Sequence, residues 1–303
     1  MTAVRSGLLT KRIAKMFLGE FYKMLKSKLG LRTFVIFFLL VSNSWAYQEI
    51  EVKNGGTLQG RATLIGKNPQ PRVFHLVLYP NIDLCAEVPE TDDEENRILY
   101  DFKTDESRGM RDVVITLDHV EAGKTFPEKT LQILSENCKF IPEVNVVKQG
   151  GSFTVDNVDP VMHNSQVYQA ERGKIIQNLP VPAEDLTHGN ITFQKKFKIF
   201  QMICGMHEFM QTWGYRVQNP YNQVTGKDGQ FTIDNIPPGD YTVTAWHYLM
   251  KKIKKKIHVE PNATINLDFA FNGDKVVRPQ YEIIRSGRIK KEARKGFVKD
   301  KEQ

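Results

Sequence analysis

The chain has 303 residues, enough to bury a sizeable core and to form about two domains. With 41% hydrophobic and 25% charged residues it is neither a disordered chain nor a membrane bundle. Lysine and arginine outnumber aspartate and glutamate, 42 against 35. The excess sits in residues 1–46, where Arg5, Lys11, Arg12, Lys15, Lys23, Lys26, Lys28 and Arg32 stand against Glu20 alone. Residues 47–303 are balanced, so the basic pI gives no reason to expect a nucleic-acid partner.

In chain order, an apolar run from Thr33 to Ser42 follows the basic stretch and ends in Ser44-Trp45-Ala46, with small residues where a signal peptidase reads. The run is about half of the roughly twenty residues that span a bilayer. Residues 1–46 therefore read as a signal peptide cleaved before Tyr47, and the mature chain is expected to be periplasmic or secreted with no stable membrane span. Short β-rich runs then alternate with turn residues, an all-β pattern. Strands are expected at 56–64, 72–79, 112–117, 131–134, 144–147, 152–155, 193–203 and 215–217. The acidic run Asp92-Asp93-Glu94-Glu95 reads as a solvated loop.

Three cysteines, Cys85, Cys138 and Cys204, leave one over in an oxidising compartment. A disulfide between Cys85 and Cys138, each at the close of a strand-like run, would leave Cys204 free for a metal; two free buried thiols are the alternative. A second unit starts near Asn219-Pro220-Tyr221. It carries turn signals at Lys227-Asp228-Gly229-Gln230 and Ile236-Pro237-Pro238-Gly239, and its spacing fits a small β-sandwich. The expected division is a signal peptide at 1–46, a larger first domain at 47–218, the second sandwich at 219–271 and a basic tail at 272–303. Within the first domain, the membership of residues 47–110 is left open between the two sandwiches. From 275 onward the tail holds ten lysines and arginines against four acids, and it is expected to pack on nothing.

The segment Met202-Ile203-Cys204-Gly205-Met206-His207-Glu208-Phe209-Met210 spaces a thiolate, an imidazole and a thioether as C-x2-H-x2-M. Blue-copper chemistry needs a cysteine and two histidines with a weak axial methionine, soft enough for Cu(I) and with nitrogen for Cu(II). His163, after a strand and a turn at Val158-Asp159-Pro160-Val161-Met162, is the candidate for the remaining ligand. His207, next in the loop, is the expected electron exit.

The stretch from Asn137-Cys138-Lys139-Phe140-Ile141-Pro142 through Asn157-Val158-Asp159-Pro160-Val161-Met162-His163-Asn164 to the Cys204 loop resembles the plastocyanin-like cupredoxins, and the loop spacing resembles amicyanin. The resemblance implies a Greek-key cupredoxin sandwich with one mononuclear type 1 copper site. His163, Cys204, His207 and Met210 would be its ligands, and Asn164 would brace the ligand loops. From Val224 to His247 the chain is similar to carboxypeptidase-regulatory-like, transthyretin-like sandwiches, and the fusion resembles exported methylamine-utilisation-type cupredoxin proteins. One departure is Phe197-Lys198-Ile199-Phe200, where such cupredoxins often have a Pro-Gly turn.

Four protein ligands leave little room for substrate, which implies electron transfer with a redox partner protein rather than an enzyme. His75, His119, His188, His247 and His258 are scattered and expected to be structural or exposed. Two other readings compete. A copper carrier would use Met162, Met202, Met206 and Met210, and a carbohydrate- or peptide-binding module would present Tyr221, Tyr241 and Trp246 as a platform.

Overall fold

A computed structural model describes residues 47–148, 150–170, 173–190 and 197–277. The expected signal peptide at 1–46 and most of the expected basic tail lie outside the described residues. Strands β1 (Gln48–Glu49), β2 (Gly56–Ile65) and β3 (Arg72–His75) lead to a short helix, α1 (Ile82–Ala86), and to β4 (Asn96–Leu99). Strands β5 (Val114–Asp118), β6 (Ala122–Gly123), β7 (Leu131–Glu136), β8 (Lys139–Ile141), β9 (Val144–Lys148) and β10 (Ser152–Asn157) follow. After them come β11 (His163–Gln169), β12 (Lys174–Val181), β13 (Asp185–Asn190), β14 (Ile199–Cys204) and β15 (Gln211–Val217). The chain continues with β16 (Asn222–Val224), β17 (Gln230–Ile236), β18 (Gly239–Trp246), β19 (Ile253–Val259), β20 (Thr264–Asn266) and β21 (Phe269–Asn272). The all-β expectation and the two-sandwich arrangement hold. Among the described residues no helix is long and apolar enough to cross a membrane.

The first sandwich faces a sheet of order β13-β10-β7-β8 against one of order β12-β11-β14-β15-β9. The parallel pairs β7 with β10 and β9 with β15 arise because the chain changes sheets at β8–β9, β9–β10 and β10–β11, whereas β7–β8, β11–β12 and β14–β15 are antiparallel neighbours within one sheet. Alternation aims Ile133, Phe140, Phe153 and Val155 from one sheet at Val167, Val181, Phe200 and Met202 from the other. Packing is close enough that a side chain at Gly214 would collide with the Phe200 ring, 1.8 Å from where its Cβ would stand.

The second sandwich faces a sheet of order β16-β5-β18-β19 against one of order β17-β2-β20, with β21 also on β2. Leu58, Ala62 and Leu64 of β2 and Ile115 and Leu117 of β5 lie in its core beside Phe231, Ile233, Val243 and Ala245. This sandwich is therefore discontinuous in the chain. Residues 56–65 and 114–118 belong to it, although the expected first domain runs from 47 to 218. The open question at 56–79 resolves by strand: β2 pairs in the second sandwich, whereas Phe74, Leu76 and Tyr79 pack on the first.

Between β2 and β5 the chain makes an excursion over the first sandwich, consisting of the β3–β4 hairpin and α1. A strand is expected at 72–79 but stops at His75, and Leu76–Leu78 form a single 3-10 turn before Pro80, which has no N–H for a ladder. Cys85 consequently sits in α1 and Cys138 in the β7–β8 turn, so neither closes a strand. An aromatic seam joins the sandwiches, with Trp213 stacked on Tyr248 at 5.2 Å and Tyr215 tilted against Trp246 at 5.1 Å. The expected tail starts too early, because Val277 N–H donates to the Leu249 carbonyl at 2.8 Å.

Candidate metal centre

Strand β11 begins on His163 and β14 ends on Cys204, and their register pairs Ser165 with Cys204. A ladder thus fixes the first imidazole beside the thiol. The loop from Cys204 to Met210 is closed by its own backbone, with Cys204 N–H donating to the Met210 carbonyl at 3.1 Å and Met210 N–H to the His207 carbonyl at 2.9 Å. His207 is swung back over the cysteine by this loop.

The Nδ1 atoms of His163 and His207 lie 3.2 Å apart, and Cys204 Sγ lies 3.8 Å and 3.6 Å from them respectively. All three residues are fully buried. Each imidazole has its outer nitrogen engaged. His163 Nε2 donates to Asp159 Oδ2 at 2.8 Å and His207 Nε2 donates to the Pro80 carbonyl at 3.1 Å. Those bonds fix the Nε2–H tautomer and leave both Nδ1 lone pairs facing the sulfur. Donors that share one ion through bonds of about 2.0–2.3 Å stand roughly 3.2–3.8 Å from one another, so this donor set fits a single soft transition metal.

Met210 is fully buried in the same loop. Asn164 acts through its backbone: its N–H donates to Cys204 Sγ at 3.4 Å and its carbonyl accepts Gly205 N–H at 2.7 Å. The side-chain Oδ1 has no partner, so the bracing expected of this residue comes from the main chain.

Electrostatics favour an anionic sulfur. Burial pushes the Cys204 thiol up, but the His163 and His207 imidazoles, whose Nδ1 lone pairs accept the thiol proton, and the N–H groups of Asn164 and Met206 outweigh it and bring it down to about 6. Burial would lower His163, yet its bond to Asp159 and the neighbouring sulfur raise it to about 9. Asp159 is itself held below the usual carboxylate range: burial raises it, but His163 and the N–H groups of Cys138 and Asn137 prevail.

Three residues of this site went unread as such in the sequence. Asp159 was legible only as a turn residue, although its spacing of four before His163 is the available signal. Pro80 and Arg97 come from the excursion and have no local signal. Buried Arg97 donates to the carbonyls of Cys85 and Asn137 and lies over the Phe209 ring at 5.0 Å. It thereby ties the excursion to the ligand loop. Cys85 and Cys138 form a disulfide, joining α1 to the turn whose N–H groups hold Asp159.

His207 is fully buried and lies beneath Pro80, whose carbonyl it contacts. One expectation is corrected. Tyr221 and Trp246 are buried and Tyr241 packs against the second core, so they form no exposed platform. Of the remaining histidines, His247 is fully buried and stacked between Phe102 and Tyr248, while His258 is exposed beside Asp240.

No curated protein matches the chain. A family model described as polysaccharide lyase family 4, domain II, matches residues 211–267. The chain is similar to a copper-containing nitrite reductase from Thermus scotoductus, with 16% identity, 32% of this chain and 24% of that chain covered, and a TM-score of 0.26. The matched part therefore spans about a quarter of that enzyme. It is also similar to a purple cupredoxin from Nitrosopumilus maritimus, with 20% identity, 29% of this chain and 99% of that chain covered, and a TM-score of 0.24. For amicyanin from Paracoccus versutus the values are 17% identity, 34% and 97% coverage, and a TM-score of 0.25. These likenesses carry no argument, and the β-sandwich of residues 131–217 rests on the strand order and register described above.

Proposed function

We propose that this is an exported type 1 copper protein that carries single electrons, with copper held by His163, Cys204, His207 and Met210. The observation that carries the reading is the convergence of two Nδ1 atoms and one Sγ within 3.2–3.8 Å of one another in a fully buried site. Bound copper would supply a one-electron couple tuned by thiolate and thioether. The chain's own residues do the rest. Asp159 and the Pro80 carbonyl hold the imidazoles in one tautomer, and the Asn164 N–H steadies the sulfur. Phe209, Tyr79 and Phe74 pack edge to face over the loop and keep water away. Ligands held by a ladder and a closed loop move little when charge changes, which suits electron transfer.

Complete burial of the three donors favours an electron carrier over a copper carrier, because ion transfer needs a donor a partner can reach. Copper(II) added to the mature chain should bind one to one and give an intense visible band from sulfur-to-copper charge transfer. Cys204→Ser should abolish that band. A chain that binds only Cu(I), or binds copper without colour, would overturn the reading.

A further inference from the structure

The excursion over the metal centre is unlike the rest of the surface. Val77 and Leu78 are each 71% exposed, the most exposed large apolar side chains among the described residues. They are three and two residues before Pro80, whose carbonyl accepts the His207 Nε2–H, so Leu78 lies within about 7 Å of that carbonyl's residue along the chain. Acids flank this tip along the chain. Leu76 N–H donates to the Glu95 carbonyl, which brings the acidic turn against the 3-10 turn. Asp83, Glu87, Asp93 and Glu94 are exposed, and the two arginines of β3 and β4 are buried. From residue 73 to 99 no lysine or arginine is exposed.

We infer that this tip is where the electron-transfer partner docks, and that the partner is a protein whose redox edge is apolar and ringed by lysines or arginines. The inference rests on the proposed copper function. Charge complementarity selects the occupant: an anionic rim steers a cationic face and repels both anionic lipid and a second copy of the same tip. The apolar pair then provides a dry contact that excludes water. With copper bound, the His207 imidazole and its hydrogen bond to the Pro80 carbonyl would give one electron a route from Cu(I) to the partner's oxidised centre.

Binding of redox-inert cytochromes to the full chain tests this with and without copper, so the result does not depend on the metal. A basic c-type cytochrome should bind, and its affinity should fall about tenfold between low and physiological salt, whereas an acidic cytochrome should not bind. The variant Asp83→Asn/Glu87→Gln/Asp93→Asn/Glu94→Gln should bind the basic cytochrome about tenfold more weakly and lose most of the salt dependence. Val77→Ser/Leu78→Ser should weaken binding severalfold and keep the salt dependence. All six side chains are exposed, so both variants should fold. Equal binding of the two cytochromes, or an unchanged affinity in either variant, would overturn the docking site. A colourless copper complex would instead overturn the proposed function and leave the binding result standing.

Discussion

Asp159 and His247 show how differently a buried polar group can be used. Asp159 accepts three hydrogen bonds, from His163 Nε2 and from the N–H groups of Asn137 and Cys138. It positions the ligand without reaching the metal. Asp159→Asn should keep the blue colour but lower copper(II) affinity by about ten- to a hundredfold, as read by competition with a chelator. His247 has no metal-facing role. Its Nε2 donates to the Asp101 carbonyl and its Nδ1 accepts the Leu249 N–H, so both nitrogens are satisfied only in the neutral ring. Burial drives it down to about 4. The unfolded chain, with an ordinary histidine near 6.5, then binds more protons between pH 6.5 and 4. This contribution to stability is complete above about pH 6.5 and is lost as pH falls towards 4, by up to about 3 kcal/mol. Urea unfolding at pH 7.5 and 4.5 should show the loss, and His247→Gln should show a shallower pH dependence. At this scale the candidate donors were legible because softness and spacing are written in C-x2-H-x2-M, and the structure brings Cys204 and His207 together with His163. Their supports were not, because a backbone carbonyl such as that of Pro80 has no residue signature.

Elements were legible where apolar residues alternate and hidden where they do not. Strands β7, β10, β17 and β18 announce themselves. Strand β11, His163-Asn164-Ser165-Gln166-Val167-Tyr168-Gln169, reads as polar, yet Ser165 and Gln169 are fully buried in the sheet. Strands β12 and β13 fail for another reason: both lie at a sheet edge with half or more of their residues exposed, and the core-facing Ile176, Leu179 and Val181 of β12 do not fall into a clean alternation. The excursion is harder still, since a hairpin, one 3-10 turn and a five-residue helix carry no period. It is held by one covalent link, the Cys85–Cys138 disulfide, which closes a separation of 53 residues. In the chain-entropy model such a closure contributes about 4 kcal/mol. The same link joins the segment that orients His207 to the turn that orients Asp159. Cys85→Ser/Cys138→Ser should therefore lower unfolding stability by about that amount and speed copper release to a chelator. Unchanged release would mean that Arg97 and the aromatic packing alone hold the excursion in place.

At the scale of the whole molecule the chain runs out and back: β2, the excursion and β5 come first, then the first sandwich, then the rest of the second. Local patterns could not reveal this, because pairing partners such as β2 and β20 lie some 200 residues apart and the register of a sheet is set by contacts far along the chain. The turns at Asp228-Gly229 and Pro237-Pro238-Gly239 were legible, and they do bound β17. What they could not show is that β17 pairs with β2, and that β16 and β18 lie on either side of β5. Residues 219–271 thus lack the central strand of both their sheets. A fragment of those residues would expose Val243, Ala245, Phe231 and Phe269 along two open edges, with no Leu58, Leu64, Ile115 or Leu117 to cover them. At about 25 cal/mol per Å² of apolar surface, losing several such side chains from a small core exceeds the whole stability of a domain that size. The fragment should be unfolded by circular dichroism and show no dispersed amide spectrum. Supplying residues 47–118 in trans should restore strand structure, because they carry both missing strands. A fragment of 219–271 that unfolds cooperatively by itself would show that its strands can close a sandwich without β2 and β5, and that the present pairing is not what holds this half of the protein together.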